Sequence, residues 1–248
     1  MTKCSCTPWP RFEQDSYDWD ERFRLCCRQA RDRRADLVLI GDSITHFWDS
    51  AATPVSHGGE VWDRLFSGRN VLNLGFGWDR TPNVLWRLKN GHFVNQKPRA
   101  VVLNIGTNNL TKTVHYPGDS PEDAADGILA VIDLLQELSP ESRIVSMAVF
   151  PRGGRGEELE RKVMQMNAIV TERLKGRRNI LRLDLTDRFL NPDGSQRKEF
   201  FRDGCHLTCA GYEIWGEALR PILDSCAPRL TKENMTQKSA SELDSNRK

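Results

Sequence analysis

The stretch Asp36-Leu37-Val38-Leu39-Ile40-Gly41-Asp42-Ser43 decides the fold class of this chain. A continuous run of mostly branched, apolar residues that ends in turn residues is typical of a strand buried on both faces, as in a parallel sheet. The strand ends in a glycine, an acid and a serine, at the end where open α/β sheets bind ligands. Ser43 is therefore a candidate nucleophile, although serine is also a common helix N-cap.

Four further segments have the composition of strands, and helical patterns separate them. The segments are 69–74, 100–105, 143–150 and 180–185. Between them, apolar residues recur at the three- and four-residue spacing of a helix face. Thr81-Pro82 and Ser120-Pro121 combine a good N-cap with a proline suited to the first helical turn. Strands that alternate with helices imply right-handed βαβ units, so we expect a three-layer α/β/α sandwich on a five-stranded parallel sheet.

The 248 residues suffice for one such domain. We expect an irregular N-terminal segment over 1–16, a single domain over 17–228 and a tail over 229–248. The tail is polar and has no periodicity, which is typical of disorder.

Composition excludes several classes of function. The formal net charge is only +2, so a general attraction to nucleic acid is not expected. No apolar run approaches the roughly 18 residues of a membrane span, and the first residues contain no apolar signal-peptide core. Seven cysteines are an odd number, which argues for reduced thiols in the cytoplasm. Cys4-x-Cys6 and Cys205-x-x-x-Cys209 do not form a four-ligand zinc spacing, so no metal is expected.

Nucleophilic catalysis by serine needs a base, a group that orients the base and donors for the oxyanion. His206 is the candidate base, and Asp203, three residues earlier, can orient it. Asn108 and the glycine-rich segment 75–79 follow predicted strands and supply candidate donors. Because the carboxyl ends of parallel strands meet at one edge, we expect these groups to converge on Ser43.

Four blocks in order resemble the SGNH, or GDSL-type, hydrolase superfamily: Gly41-Asp42-Ser43, Asn73-Leu74-Gly75-Phe76-Gly77-Trp78-Asp79, Gly106-Thr107-Asn108-Asn109 and Asp203-Gly204-Cys205-His206. The resemblance spans Leu37 to Leu219. Segments 84–91, 106–109 and 151–153 look like the branch that contains the catalytic subunits of platelet-activating factor acetylhydrolase and similar bacterial acetylesterases.

The resemblance implies a flavodoxin-like sheet and hydrolysis of acyl esters without a metal or organic cofactor. It implies Ser43 as nucleophile, His206 as base and Asp203 as its partner. The implied oxyanion donors are Ser43, Trp78 and Asn108. The family usually has glycine at the position of Trp78. A backbone N–H survives any side chain, so Trp78 can still donate if its φ suits a non-glycine residue, with Gly77 as the alternative donor.

The indole of Trp78 points either into the substrate pocket or back into packing, and both alternatives stay open. Arg80 is a second candidate substrate-binding residue, with a structural ion pair as its alternative, and the same two alternatives hold for Arg87. His46 is a weaker competitor for the role of base and is expected at an exposed helix position.

The remaining polar residues near the blocks are assigned structural or solvent-exposed roles. His57, His92 and His115 are expected in solvated loops. Asp42 is expected to accept backbone N–H groups, and Cys205 to pack.

The sequence therefore predicts a serine esterase for short acyl groups, acetate first. Trp48, Trp62, Trp78 and Trp86 suit stacking on a sugar, which favours an O-acetylated carbohydrate, although core packing explains the tryptophans equally well. An acetylated lipid or a thioester is the alternative substrate. A different class of function is a catalytically silent subunit that acts by association, and a homodimer is compatible with either class.

Overall fold

A computed structural model describes residues 5–13, 17–49, 57–153 and 157–229. One parallel sheet contains the strands β1 Leu37–Gly41, β2 Val71–Gly75, β3 Ala100–Asn104, β4 Arg143–Met147 and β5 Ile180–Leu183. The helices are α1 Trp19–Asp32, α2 Ser43–His46, α3 Gly59–Phe66, α4 Thr81–Arg87, α5 Pro121–Leu138, α6 Glu157–Leu174, α7 Thr186–Phe189 and α8 Cys209–Cys226. A π-helical turn, Leu88–His92, extends α4, and a 3-10 turn covers Lys198–Phe200.

The strand order is β2-β1-β3-β4-β5, and all neighbouring strands are parallel. This order confirms the predicted flavodoxin-like α/β fold. The chain moves to one side of β1 for β2 and to the other side for β3, so the switch point lies beside the carboxyl end of β1. Ser43 follows that strand end directly.

Alternate residues of the strands point into two separate cores. Val38 and Ile40 of β1 face the layer that contains α1, α4, α5 and α6. Leu37 and Leu39 face the layer that contains α3 and α8. All five residues of β1, β2 and β3 are buried, as expected for strands covered on both faces. The three-layer sandwich is therefore confirmed.

The carboxyl end of β1 is held very close to its neighbours. A Cβ atom on Gly41 would lie 2.2 Å from Thr45 Oγ1 and 2.3 Å from the carbonyl oxygen of Asn104. Only glycine allows this approach, since the carbonyl belongs to the backbone of β3. The chain then turns at once into α2, because Asp42 accepts a hydrogen bond from the N–H of Ile44 as an N-cap.

Strand β2 lies at one edge of the sheet, and α1 covers that edge with hydrogen-bond donors. Arg33 donates to the carbonyl of Val71 (2.7 Å), and Arg22 donates to that of Gly75 (2.9 and 2.7 Å). These carbonyls face away from β1 and would otherwise be open to another strand. Arg22 of α1 and Arg33, the C-cap of that helix, thus protect the edge.

The N-terminal residues 5–13 contain no helix or strand, yet they are docked on the domain. Ser5 is fully buried. The N–H of Trp9 donates to the carbonyl of Pro82 (3.0 Å), and the side chain of Asn83 donates to the carbonyl of Trp9 (3.0 Å).

The predicted tail, apart from Arg229, lies outside the described residues. Within the described ranges, no helix is both long enough and apolar enough to cross a membrane.

Candidate active site

Ser43 begins α2, so its hydroxyl lies at the carboxyl edge of the sheet. Its Oγ is 2.8 Å from Nε2 of His206, which lies 163 residues later in the chain. The backbone of α2 is fixed from two sides: the Asn73 amide donates to the carbonyl of Thr45 (3.0 Å), and the Tyr212 hydroxyl donates to that of Ile44 (2.6 Å). The position of the hydroxyl is therefore set by the packing of the strand and helix that carry it.

The other ring nitrogen of His206 is held by Asp203. Nδ1 of His206 is 2.7 Å from Oδ2 of Asp203. Oδ1 of the same carboxylate accepts the N–H groups of Cys205 (3.0 Å) and His206 (2.8 Å). Gly204 has φ +75°, which lets the segment turn back on itself. The structure thus brings the three predicted residues together in the order hydroxyl, imidazole, carboxylate.

The hydrogen bonds to Asp203 keep this carboxylate ionised. Partial burial acts to raise its pKa, but the N–H and the ring of His206 and the N–H of Cys205 outweigh burial and lower it to about 2. A carboxylate that stays charged can hold the proton of His206 on Nδ1 and leave Nε2 as the acceptor for the Ser43 hydroxyl.

Trp78 has φ +61°, in the left-handed region that favours glycine. The N–H of Asp79 donates to the carbonyl of Phe76 (3.3 Å), so Trp78 is the third residue of a four-residue turn. Type II turns usually place glycine there. The N–H groups of Gly77 and Trp78 donate to no other group in the described part of the chain.

The side chain of Asn108 approaches this turn from the loop after β3. Its amide donates one hydrogen to the carbonyl of Asp79 (3.1 Å), which leaves the second hydrogen of the amide for another acceptor. Asn108 and Trp78 line the same cavity as Ser43. The structure therefore places the three predicted oxyanion donors around one space.

The cavity in front of Ser43 has a volume of about 440 Å³. Six lining residues were singled out from the sequence as site residues: Ser43, Gly77, Trp78, Asn108, Asp203 and His206. Five others were not assigned to the site: Tyr17, Phe47, His57, Arg152 and Cys205. Trp78 is 39% exposed and lines the cavity, so its indole does not pack back into the core.

Three histidine assignments were wrong. His46, expected on an exposed face, is fully buried against Tyr17, Phe47 and Phe76. His92, expected in solvent, is buried and accepts from Arg87 (2.7 Å). His57 is half-buried in the cavity wall, 5.8 Å from the His206 ring centroid.

The environment of His57 keeps this residue uncharged. Burial, the charge of Arg202 and the nearby His206 lower the pKa of His57 to about 4. At neutral pH a ring with this pKa is neutral. His57 is therefore a polar but uncharged part of the wall.

Arg80 does not line the cavity, so its expected role in substrate binding is wrong. It is fully buried, and its guanidinium pairs with Glu13 (2.9 Å) beneath the docked N-terminal segment. Its Nε donates to the carbonyl of Asn108 (2.9 Å). The alternative of a structural ion pair is confirmed for Arg80, and also for Arg87, which pairs with Asp79 (2.5 Å). Arg80 supports the backbone that carries Asn108.

Three of the four tryptophans considered for sugar stacking pack in or against the hydrophobic cores instead. Trp48 is fully buried and stacks on Trp215 at 4.3 Å between ring centroids. Trp62 packs on the same cluster, and Trp86 packs in the opposite layer. Trp78 alone of these four lines the cavity.

Cys26, Cys27, Cys209 and Cys226 are free thiols in the described part of the chain. No group of three or more His, Cys, Asp or Glu side chains in the described residues is arranged to hold a metal ion.

Replacement of Trp78 tests the strain of its backbone. Trp78→Gly and Trp78→Ala both remove the indole, but only glycine adopts positive φ without cost. We expect the glycine variant to have a higher free energy of unfolding, by about 1 kcal/mol, in urea titrations. At Met164, an exposed residue inside α6, the order should reverse, because glycine weakens an ordinary helix. An alanine variant at Trp78 as stable as the glycine variant would contradict the strained turn.

Asp42 should make stability depend on pH. Burial raises its pKa from 3.8 to about 7, although the N–H of Ile44 and the charge of Arg152 oppose the shift. Between these two values the folded protein keeps a proton that the unfolded chain has released, so stability falls as pH rises through this window. Asp42→Asn keeps an N-cap acceptor but cannot titrate.

Urea unfolding of both proteins at pH 5 and pH 8 measures this effect. The stability of the wild type relative to Asp42→Asn should decrease between the two pH values. A difference that stays constant would show that Asp42 has an ordinary pKa.

Comparison with known proteins agrees with this geometry. The model of the GDSL-like Lipase/Acylhydrolase family matches residues 39–214. Platelet-activating factor acetylhydrolase IB subunit alpha2 of Homo sapiens is 34% identical over 215 residues, which cover 87% of this chain and 86% of that protein.

Solved structures share the fold at lower identity. A GDSL-like lipase from Bacteroides thetaiotaomicron has a TM-score of 0.66 at 15% identity, covering 82% of this chain and 97% of that chain. A catalytic mutant of an acetylxylan esterase from Geobacillus stearothermophilus has a TM-score of 0.58 at 19% identity, covering 76% and 94%. The chain belongs to the GDSL-like lipase/acylhydrolase family and is a carboxylic ester hydrolase.

Proposed function

We propose that this hydrolase cleaves short-chain esters, acetyl esters first, through an acyl-enzyme on Ser43. The observation that carries the proposal is the continuous chain from Ser43 Oγ through the His206 ring to the Asp203 carboxylate, with distances of 2.8 and 2.7 Å. A nucleophile, a base and a group that orients the base are thereby within hydrogen-bonding reach of one another.

Acylation begins when Nε2 of His206 takes the Ser43 proton and Oγ attacks the ester carbonyl. The carbonyl oxygen becomes an oxyanion and accepts the N–H of Ser43, the N–H of Trp78 and the free amide hydrogen of Asn108. When the tetrahedral intermediate collapses, the C–O bond to the alcohol breaks and His206 returns its proton to the leaving alkoxide. Asp203 stabilises the imidazolium throughout.

Deacylation repeats these steps with water as the nucleophile. His206 takes a proton from water, the hydroxide attacks the acyl carbonyl, and Ser43 Oγ leaves with the proton from His206. The products are a free carboxylic acid and the original hydroxyl.

The acetyl group is supported by the relatives rather than by any contact in the cavity. The 34% identical mammalian proteins are named as acetylhydrolases of platelet-activating factor. An O-acetylated carbohydrate is the first candidate for the substrate, because Trp78 offers a half-exposed apolar face beside Ser43 on which a sugar can stack. The other three tryptophans, Trp48, Trp62 and Trp86, pack in or against the cores and give no support to sugar binding. An acetylated lipid is the second candidate for the substrate. A homodimer and a cytoplasmic location stay predictions.

Hydrolysis of p-nitrophenyl acetate, hexanoate and dodecanoate tests the proposal. The acetate should give the highest kcat/KM. Ser43→Ala should lower kcat on the order of 10⁵-fold or more. Asn108→Ala should lower it by ~10²–10³ and leave a measurable remainder.

Ser225→Ala, an exposed serine on α8, is the matched control and should retain the wild-type rate. A Ser43→Ala variant as active as the wild type would exclude the mechanism. Rates that rise with chain length would exclude the preference for acetate. Acetylated xylo-oligosaccharides and an acetylated glycerophospholipid, compared by kcat/KM, then decide between the two alcohols.

A further inference from the structure

One buried arginine in the catalytic cavity has no part in the acyl transfer described above. Arg152 follows β4 and lines the cavity together with Ser43 and His206, although only 8% of the residue is exposed. Its Nη1 donates to Sγ of Cys205. Its Nε is buried and has no hydrogen-bond partner in the described part of the chain. A guanidinium removed from water needs acceptors for its five N–H groups, so Arg152 has donors to spare.

The guanidinium of Arg152 also lacks a direct carboxylate partner, although its charge acts at longer range on Asp42 and Glu160. None of the carboxylates in the described ranges forms an ion pair with its guanidinium. Glu160 is near, but its Oε2 accepts the backbone N–H of Arg152 (2.6 Å). A neutral thiol is a weak acceptor, so Cys205 does not replace a carboxylate.

The other buried arginines in the described ranges have strong acceptors within the protein. Arg80 pairs with Glu13, and Arg87 pairs with Asp79. Arg22 donates twice to the carbonyl of Gly75. Burying a charge costs free energy unless it is paired, so a buried cation that faces a substrate cavity indicates an anion supplied from outside.

The backbone around Arg152 is built to hold the side chain in place. The N–H of Gly153 donates to the carbonyl of Gly204 (2.8 Å), and a Cβ atom on Gly204 would lie 2.5 Å from the Gly153 carbonyl oxygen. The amide of Gln196 donates to the carbonyls of Pro151 (2.8 Å) and Gly204 (3.1 Å). These contacts tie the Arg152 loop to the loop that carries His206, so the backbone from which the guanidinium extends is fixed before a ligand binds.

We propose that Arg152 forms an anion subsite, and that the substrate is an ester with a carboxylate or phosphate group a few bonds from the scissile carbonyl. The inference rests on the proposed esterase function and adds the class of ester. A guanidinium binds such oxygens through two parallel N–H donors. Among the described residues that line the cavity, the one acid is Asp203, which already accepts three hydrogen bonds and lies behind the imidazole. The chemical steps at Ser43 are unchanged.

Three small acetyl esters test the subsite: those of glycerol, of glycerol 3-phosphate and of glycolate. The readout is the ratio of kcat/KM for each charged ester to that for the neutral glycerol ester. In the wild type at least one ratio should be about 10–100, the value of a charge-assisted hydrogen bond, and in Arg152→Gln it should fall towards 1. Arg152→Lys keeps the charge without the two parallel donors and should give an intermediate ratio.

Arg143→Gln is the matched control. It removes the same charge from an exposed residue at the opposite end of β4 and should keep the wild-type ratio. A preference for the phosphate ester identifies phosphate as the anion, and a preference for the glycolate ester identifies a carboxylate. Equal rates on all three esters in the wild type, or an unchanged ratio in Arg152→Gln and Arg152→Lys, would overturn the subsite while the esterase function stands. A wild type inactive on all three esters would contradict the esterase function itself.

Discussion

The site depends on the parallel alignment of four neighbouring strands. Because β1, β2, β3 and β4 end at the same edge of the sheet, loops far apart in the sequence present Ser43, Trp78, Asn108 and Arg152 to one cavity. The switch point between β1 and β3 opens the crevice beside the nucleophile. The close approach of Gly41 to β3 then fixes the start of α2, and with it the serine hydroxyl.

The titratable groups around the cavity differ in charge and in whether they have a partner. Hydrogen bonds keep Asp203 ionised, and its charge is directed at His206. His57 is neutral at pH 7, because burial and nearby positive charge lower its pKa. Arg152 is thus a cation in the wall without a carboxylate partner among the described residues. A nonpolar wall would disfavour a charged ester, because a buried charge without a partner is costly, whereas Arg152 offers an anion a partner near the scissile bond.

The sequence predicted the fold and most of the cavity because both depend on local signals. Apolar runs located the five strands. The four blocks located Ser43 and Asn108 in the loops after β1 and β3, and Asp203 and His206 shortly before α8. The errors concern residues whose surroundings come from distant segments. Arg80 was assigned to the substrate because its partner Glu13 is 67 positions away and is brought to it by the docked N-terminus. Contacts with segments far away in the sequence also explain the buried histidines and the core tryptophans. Arg152 lay in a loop with no predicted contact, and only its burial without a carboxylate partner made it informative.

The most direct test of an activated Ser43 is labelling with a small fluorophosphonate, followed by intact-protein mass and peptide mapping. A fluorophosphonate reacts with a serine only when a base activates its hydroxyl, so it tests the alignment of Ser43, His206 and Asp203 without assuming a substrate. One adduct is expected on the wild type, located on Ser43 and absent from Ser43→Ala and His206→Ala. A wild type that forms no adduct, or an adduct that persists in His206→Ala at the wild-type rate, would contradict this activation of Ser43.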